Sequence, residues 1–208
     1  MAVTPNYSWP VPVNTDYVKD GAEAIKDLGD AIDSTVFGLG SGALSLVVAE
    51  TAFTTASAVN VNDCFTSTYT NYKVIFRVTA TSAGVTTEFR FRVGGVNSTT
   101  GHYSTNVANY SSNTALNDIT ATVNGSSQQI GTPTSVNQIE IFNPQLAAIS
   151  FYTGNGTRLE STTPRSETTG GVKMNGLHNV AQAYDGISFS VSSGTMTGTY
   201  AIYGYGKA

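Results

Sequence analysis

At 208 residues, with 12% charged and 40% hydrophobic residues and a formal charge of −4 at neutral pH, the chain has room for one generous β domain plus an appendage, and a multidomain enzyme is not expected. Its charged fraction is about half the roughly 25% of an ordinary soluble domain, and the abundance of Thr and Tyr favours strands. The charge is local: residues 1–40 hold two Lys against six Asp or Glu, while residues 41–208 balance eight against eight, so the larger part has no net field to draw nucleic acid or an anionic membrane.

Residues 1–15 carry three prolines, Tyr7, Trp9 and no charge. Proline restricts itself and its predecessor to extended conformations, which predicts an extended, polyproline-like arm. Aromatic surface on such an arm is wasted unless it docks, so Tyr7, Trp9, Pro10 and Pro12 are the candidate residues for attachment to another protein. Folding back onto the chain's own β domain is the alternative. No Lys or Arg precedes Lys19, and Trp9, Pro10 and Pro12 interrupt any apolar run, so no secretory leader is expected. The longest apolar stretch, Leu44 to Ala49, is too short to span a membrane.

Residues 16–37 predict an amphipathic helix. With Val18 at heptad position a, Val18, Ile25 and Ile32 share position a, and Gly21, Leu28 and Thr35 share d. Ala22, Gly29, Ala24 and Ala31 flank them, while every charge from Lys19 to Asp33 falls on the opposite face. Two interior glycines cost about 1 kcal/mol each relative to alanine, and a lone helix of this length is marginal in water. The stripe therefore needs a neighbour. Val18, Gly21, Ala22, Ile25, Leu28, Gly29 and Ile32 are the candidate interface, either in a three-chain bundle or on another protein, with the chain's own β domain as the alternative.

Residues 42–208 read as strands, at 44–51, 72–81, 86–94, 137–143, 147–153, 186–193 and 198–206, separated by Gly, Asn, Ser and Pro clusters. Phe89, Phe91 and Val93 alternate with Arg90 and Arg92, and Ile187, Phe189 and Val191 alternate with serines. Half-buried strands of this kind predict a mainly β fold, an antiparallel β-sandwich of jelly-roll type. Residues 111–129 and 156–171 lack a strong strand signal and are expected to be loops that offer contact surfaces. Tyr103, Tyr110 and Tyr152 lie in or beside turn regions and are the candidate contacts for a glycan, against the plainer reading of rim or core aromatics.

Motifs of chemistry are missing. His102 and His178 are far apart in the chain and lack metal-ligand spacing, so each reads as ordinary loop polarity; Cys64 reads as a small core or turn residue rather than a nucleophile; no nucleophile elbow, phosphate loop or dinucleotide fingerprint occurs. The expectation is no enzyme, no cofactor and no metal. Paired carboxylates of a polysaccharide depolymerase are the remote alternative, with Glu88, Asp118, Glu140 and Asp185 among the available acids.

Three segments resemble a known group of proteins. TPNYSWPVPVNTDYVKDGAEAIKDLGDAID, from Thr4, resembles the opening of many phage-encoded virion proteins, where a Pro- and Trp-containing arm leads into an acidic helix. FTSTYTNYKVIFRVTATSAGVTTEFRFRVGG (65–95) is similar to the tail-fibre-like pattern of a Y-x-N-Y-K/R run followed by a strand of alternating Arg. SSGTMTGTYAIYGYGKA is similar to that family's closing strand, with Ile202, Tyr203 and Gly204 at its I-Y-G signature. The resemblance covers about half of the chain, in the family's order. It implies a virion protein assembled in the host cytoplasm: a homotrimeric short fibre or spike, bound to another virion protein through its arm and helix, presenting its sandwich to a host-surface glycan. A capsid decoration, head-fibre or neck-fibre protein is the alternative, since no shaft of repeats separates helix from sandwich.

Overall fold

The computed structural model describes residues 2–13, 17–41, 44–82, 85–109, 114–122, 127–130, 134–159 and 169–206. The chain forms two compact units, Met1–Ser45 with Gly206–Ala208, and Leu46–Tyr205.

The first unit is a hairpin laid on a helix. Strands β1 (Ala2–Val3) and β2 (Pro10–Val11) pair antiparallel, Ala2 opposite Val11 and Val3 opposite Pro10. The expected extended arm is thus a reversed chain. Thr4 closes the turn: its amide donates to the Trp9 carbonyl (2.9 Å), its carbonyl accepts from the Ser8 amide (3.0 Å), and its hydroxyl accepts from the Trp9 amide (3.0 Å). Ser8 supplies the positive φ of 55° that completes the reversal. The prolines that argued for extension are compatible with this, since a two-stranded ribbon has only edge strands, where a missing N–H is tolerated. A 3-10 turn (Val18–Asp20) leads into α1 (Gly21–Ser41), and β2 packs on it.

The second unit is a jelly roll. Its strands are β3 (Leu44–Ala56, which starts in the first unit), β4 (Ala58–Val61), β5 (Asn71–Thr81), β6 (Val85–Val93), β7 (Val96–Asn97), β8 (His102–Asn109), β9 (Thr114–Thr122), β10 (Ser127–Ile130), β11 (Ser135–Phe142), β12 (Ser150–Leu159), β13 (Thr169–His178), β14 (Gly186–Val191) and β15 (Met196–Tyr205). The larger sheet runs β3-β15-β5-β11-β12-β13-β8-β9 and the smaller β10-β6-β14-β4, with β7 beside β6. Setting β7, β8, β9, β12 and β13 aside and renumbering the remaining strands one to eight, the sheets read 1-8-3-6 and 2-7-4-5, the double Greek key of a jelly roll. Apart from β7, which stays beside β6, these strands extend one edge of the larger sheet: β12 and β13 arise between β11 and β14, β8 and β9 between β6 and β10.

Period-two alternation builds the core. Phe89, Phe91, Ile187 and Phe189 of the smaller sheet face Tyr72, Val74, Phe76 and Ile141 of the larger, all 2% exposed or less. Phe76 stacks on Phe189 across the gap at 4.3 Å between centroids. The Tyr69–Tyr72 run and the terminal Ile202–Gly204 run meet physically. Gly204 pairs with Tyr72 across β15 and β5, and the Tyr69 ring lies so close over Gly204 that a β-carbon there would overlap it. The buried Tyr72 hydroxyl accepts from the Thr66 amide and donates to the Thr66 carbonyl, each at 2.7 Å, so the ring costs no unpaired polar group.

The β15–β5 register shifts between Thr197 and Gly198. A β-carbon at Gly198 would overlap the Arg77 carbonyl oxygen and lie 2.9 Å from the Phe53 ring. Gly198→Ala is expected to destabilise the sandwich by about 2–3 kcal/mol through this overpacking, read as a lowered urea midpoint at unchanged slope. An unchanged midpoint would mean the bulge yields freely.

The segments read as loops hold strands: β9 and most of β10 fall in 111–129, and the ends of β12 and β13 in 156–171. Isolated turn residues there do not stop pairing, because a strand already in the sheet, β8 for β9 and β6 for β10, offers ladder partners along their length.

Candidate functional site

The arm and helix divide the predicted stripe into two lines. Gly21, Ala24, Leu28, Ala31 and Thr35 share one flank of α1; Ala24 is 7% exposed and the other four are half-buried. Trp9 lies half-buried against this flank, its indole N–H donating to the Thr35 hydroxyl at 2.9 Å, and that hydroxyl donates to the Ala31 carbonyl at 2.8 Å. Pro10 is half-buried with it, whereas Tyr7, stacked on Trp9 at 5.2 Å, and Pro12 are exposed. Part of the apolar neighbour expected from another polypeptide is therefore the chain's own hairpin. Trp9 and Pro10 are spent within the chain, and Leu28 is half-buried on the same flank as Thr35.

The other line stays bare. Val18 is 98% exposed, Ile25 67% and Val36 59%; Ala22 and Gly29 are exposed between them, and Ile32 is half-buried. Val18, Ile25 and Ile32 recur every seven residues, as do Ala22, Gly29 and Val36. A β-carbon at Gly29 would meet nothing within 4 Å, so packing within the chain gives no reason for glycine in mid-helix, where it is unfavourable.

Of the three glycan candidates, the described residues settle only Tyr152. Tyr152 is 2% exposed and packs edge-on against Phe89 at 4.9 Å, which corrects its assignment to a contact surface: on β12 its side chain faces the sheet interior. Tyr110 and the side chain of Tyr103 lie outside the described residues.

The histidines, distant in sequence, meet. His102 is the first residue of β8 and His178 the last of β13, and they are direct partners in the β8–β13 ladder. Both rings are fully buried, their centroids 4.2 Å apart and planes perpendicular. Phe91 stacks on His102 at 5.8 Å, and Tyr184 packs on His178 at 5.0 Å. His178 has partners, with Nε2 2.9 Å from the Ser98 hydroxyl and Nδ1 accepting from the Val180 amide at 3.3 Å. Neither ring nitrogen of His102 has a hydrogen-bond partner among the described residues. Burial, then the neighbouring His178 and Arg90, push the His102 pKa down to about 3, and burial lowers that of His178. The reading of both as loop polarity is thereby corrected; only strand register, which the sequence does not display, brings them together.

Arg92 is also buried, on the outer face of the smaller sheet. Its guanidinium donates to Asn62 Oδ1 (2.9 Å) and Asn60 Oδ1 (2.8 Å), and to Asn97 Oδ1 and the Gly95 carbonyl. These four neutral acceptors clamp the Gly94–Gly95 turn between β6 and β7 and satisfy most of the five guanidinium donors. Cys64 is 1% exposed, and burial pushes its thiol up to about 12, so it stays protonated and unreactive at neutral pH. A cavity of about 20 Å³ lies among Phe76, Thr87, Phe89, Asn137, Ile139 and Met174; it has the volume of a water site rather than of a substrate pocket. Among the described residues no three His, Cys, Asp or Glu side chains converge as metal ligands, and no helix is long and apolar enough to cross a membrane.

Neither family models, nor curated proteins, nor solved structures match the chain.

Proposed function

We propose that the chain is a structural protein of a bacteriophage particle, a short homotrimeric fibre or spike. Its α1 bundles with α1 of two further copies, and its jelly roll projects to meet a host surface. The observation that carries the bundle is the bare line of α1. Ile25 and Ile32, and beside them Ala22, Gly29 and Val36, each recur at seven residues on a flank where all but the half-buried Ile32 are exposed. Identical helices wound about one axis use such a repeat, because it keeps the same seam inward over successive turns. The uncalled-for glycine suits the close approach of a neighbouring backbone. The arm and acidic helix ahead of the sandwich, together with the Y-x-N-Y and I-Y-G runs, support placing the protein on a virion. The exposed Tyr7 and Pro12 at the hairpin are the part of the arm left to touch another virion protein.

The test is light scattering coupled to size exclusion on the full chain. Ile25→Asp and Ile32→Asp each place a charge in the seam, where an unpaired buried charge costs several kcal/mol; both are expected to convert trimer to monomer with unchanged sandwich circular dichroism. Leu28→Asp, aimed at the other flank, is expected to release Trp9 and shift its fluorescence to the red. A wild-type monomer at micromolar concentration with an intact helix, or Ile25→Asp and Ile32→Asp variants that still assemble, would refute the bundle.

A further inference from the structure

The buried histidine pair sits where the edge extension joins the body of the sheet. Among the described residues the β8–β9 hairpin is held to the larger sheet through the β8–β13 ladder, whose terminal pair is His102 opposite His178. Just beyond it the Asn179 amide donates to the Gly101 carbonyl at 2.9 Å. Gly101 adopts a φ of +85°, and a β-carbon there would lie 2.6 Å from Asn179 Oδ1 and 2.7 Å from Val180, so the chains are in tight contact at this point.

The surroundings of the pair suit neutral rings. From β6 come Phe89, Phe91 and the cationic Arg90; from the segment before β14 come Tyr184 and the Val180 amide; from the segment before β8 comes the Ser98 hydroxyl. On β9, Thr122 lies opposite His102. Among the described residues no carboxylate acts on either ring. An imidazolium at His102 would therefore be a buried cation against a second imidazole, opposed by the charge of Arg90 and with no acceptor for either N–H among the described residues. Such a charge is tolerated only by reaching water.

We propose that the His102–His178 pair is an acid-operated latch: proton uptake parts the β8–β13 ladder at its histidine end and frees the β8–β9 hairpin from the body of the jelly roll. The closed latch excludes the proton and the open one accepts it, so acidity shifts the population toward the open form by the difference in proton affinity. The rest of the sheet, β3-β15-β5-β11-β12-β13, in which His178 also lies opposite Ser150 of β12, stays closed. The outer surface offered by the hairpin then depends on the acidity of the medium, whatever that surface touches.

Hydrogen–deuterium exchange of the full chain at about pH 7.5 and about pH 5, corrected for the intrinsic rate, tests this. Amides of 102–109 are expected to exchange at least about tenfold faster at the lower pH, while those of β5 and β11 stay unchanged. The His102→Phe, His178→Phe double variant is expected to lose that pH dependence. Equal corrected rates in the wild type, or acid-dependent opening that persists in the double variant, overturn the latch. Should the double variant not fold, an imidazole NMR titration of the wild type decides. Depressed titration that coincides with loss of the β8 amide signals supports the latch, and titration near 6.5, or without change at β8, overturns it.

Discussion

Phe91→Ala is expected to lower the stability of the sandwich by about 3–5 kcal/mol, the range for removing a fully buried phenylalanine. The ring is 0% exposed and touches more aromatic neighbours than any other described here: Phe65 at 6.3 Å, Phe89 at 5.9 Å, His102 at 5.8 Å, His178 at 5.5 Å and Tyr184 at 5.2 Å. These neighbours come from strands and loops of both sheets, so no single backbone shift can close the space left behind, and the cost should sit at the upper end of the range. A domain is stable by only about 5–15 kcal/mol in total, so the loss should be plain in a urea titration followed by circular dichroism. Val96→Ala, at a position 67% exposed, serves as the control and should shift stability by no more than about 0.5 kcal/mol. A Phe91→Ala cost below about 1 kcal/mol would show that the ring cluster does not hold the sheets together.

The second large effect is on pH dependence. Both histidines have folded-state pKa values below the ordinary 6.5, His102 at about 3. A base whose pKa is depressed by folding binds fewer protons folded than unfolded, so its contribution to stability is fully present above 6.5 and is lost as the pH falls toward the folded value. For His102 that window runs from 6.5 to about 3, with a slope approaching ~1.4 kcal/mol per pH unit. His178 adds to the slope just below 6.5. The expected result is a urea midpoint that falls steadily between pH 6.5 and 4, with the slope reduced in His102→Phe. A midpoint flat over that range in the wild type would mean that the rings do not stay neutral on folding. This global loss is separate from the local opening at β8, which exchange at single amides resolves.

How much was legible in the sequence varied with the kind of signal. Alternation marks β5, β6, β11 and β14, because burial of every second side chain leaves its mark on residue type; the four-residue β4, whose Val59 and Val61 also turn to the core, is too short to show it. Of the edge extension only the start of β12 is legible, within the strand expected at 147–153; β8, β9 and β13 are not. β13, TGGVKMNGLH, has two adjacent glycines, one more further along and no clean alternation, and it is a strand because β12 and β8 flank it, not because its residues prefer to be one. The helix was visible from its periodicity. That its stripe is divided between an internal hairpin and a bare line was not, since a proline-rich arm reads as extended until the Thr4–Trp9 hydrogen bonds reverse it.

The sequence by itself determined a mainly β protein with one amphipathic helix ahead of it, because hydrophobic period and composition are local properties that survive without coordinates. Strand order, the pairing of His102 with His178, the inward turn of Tyr152 and the carboxamide cage around Arg92 were decided only by tertiary structure. Each depends on which strand lies beside which, a choice made by the summed packing of two sheets and recorded in no single stretch of residues.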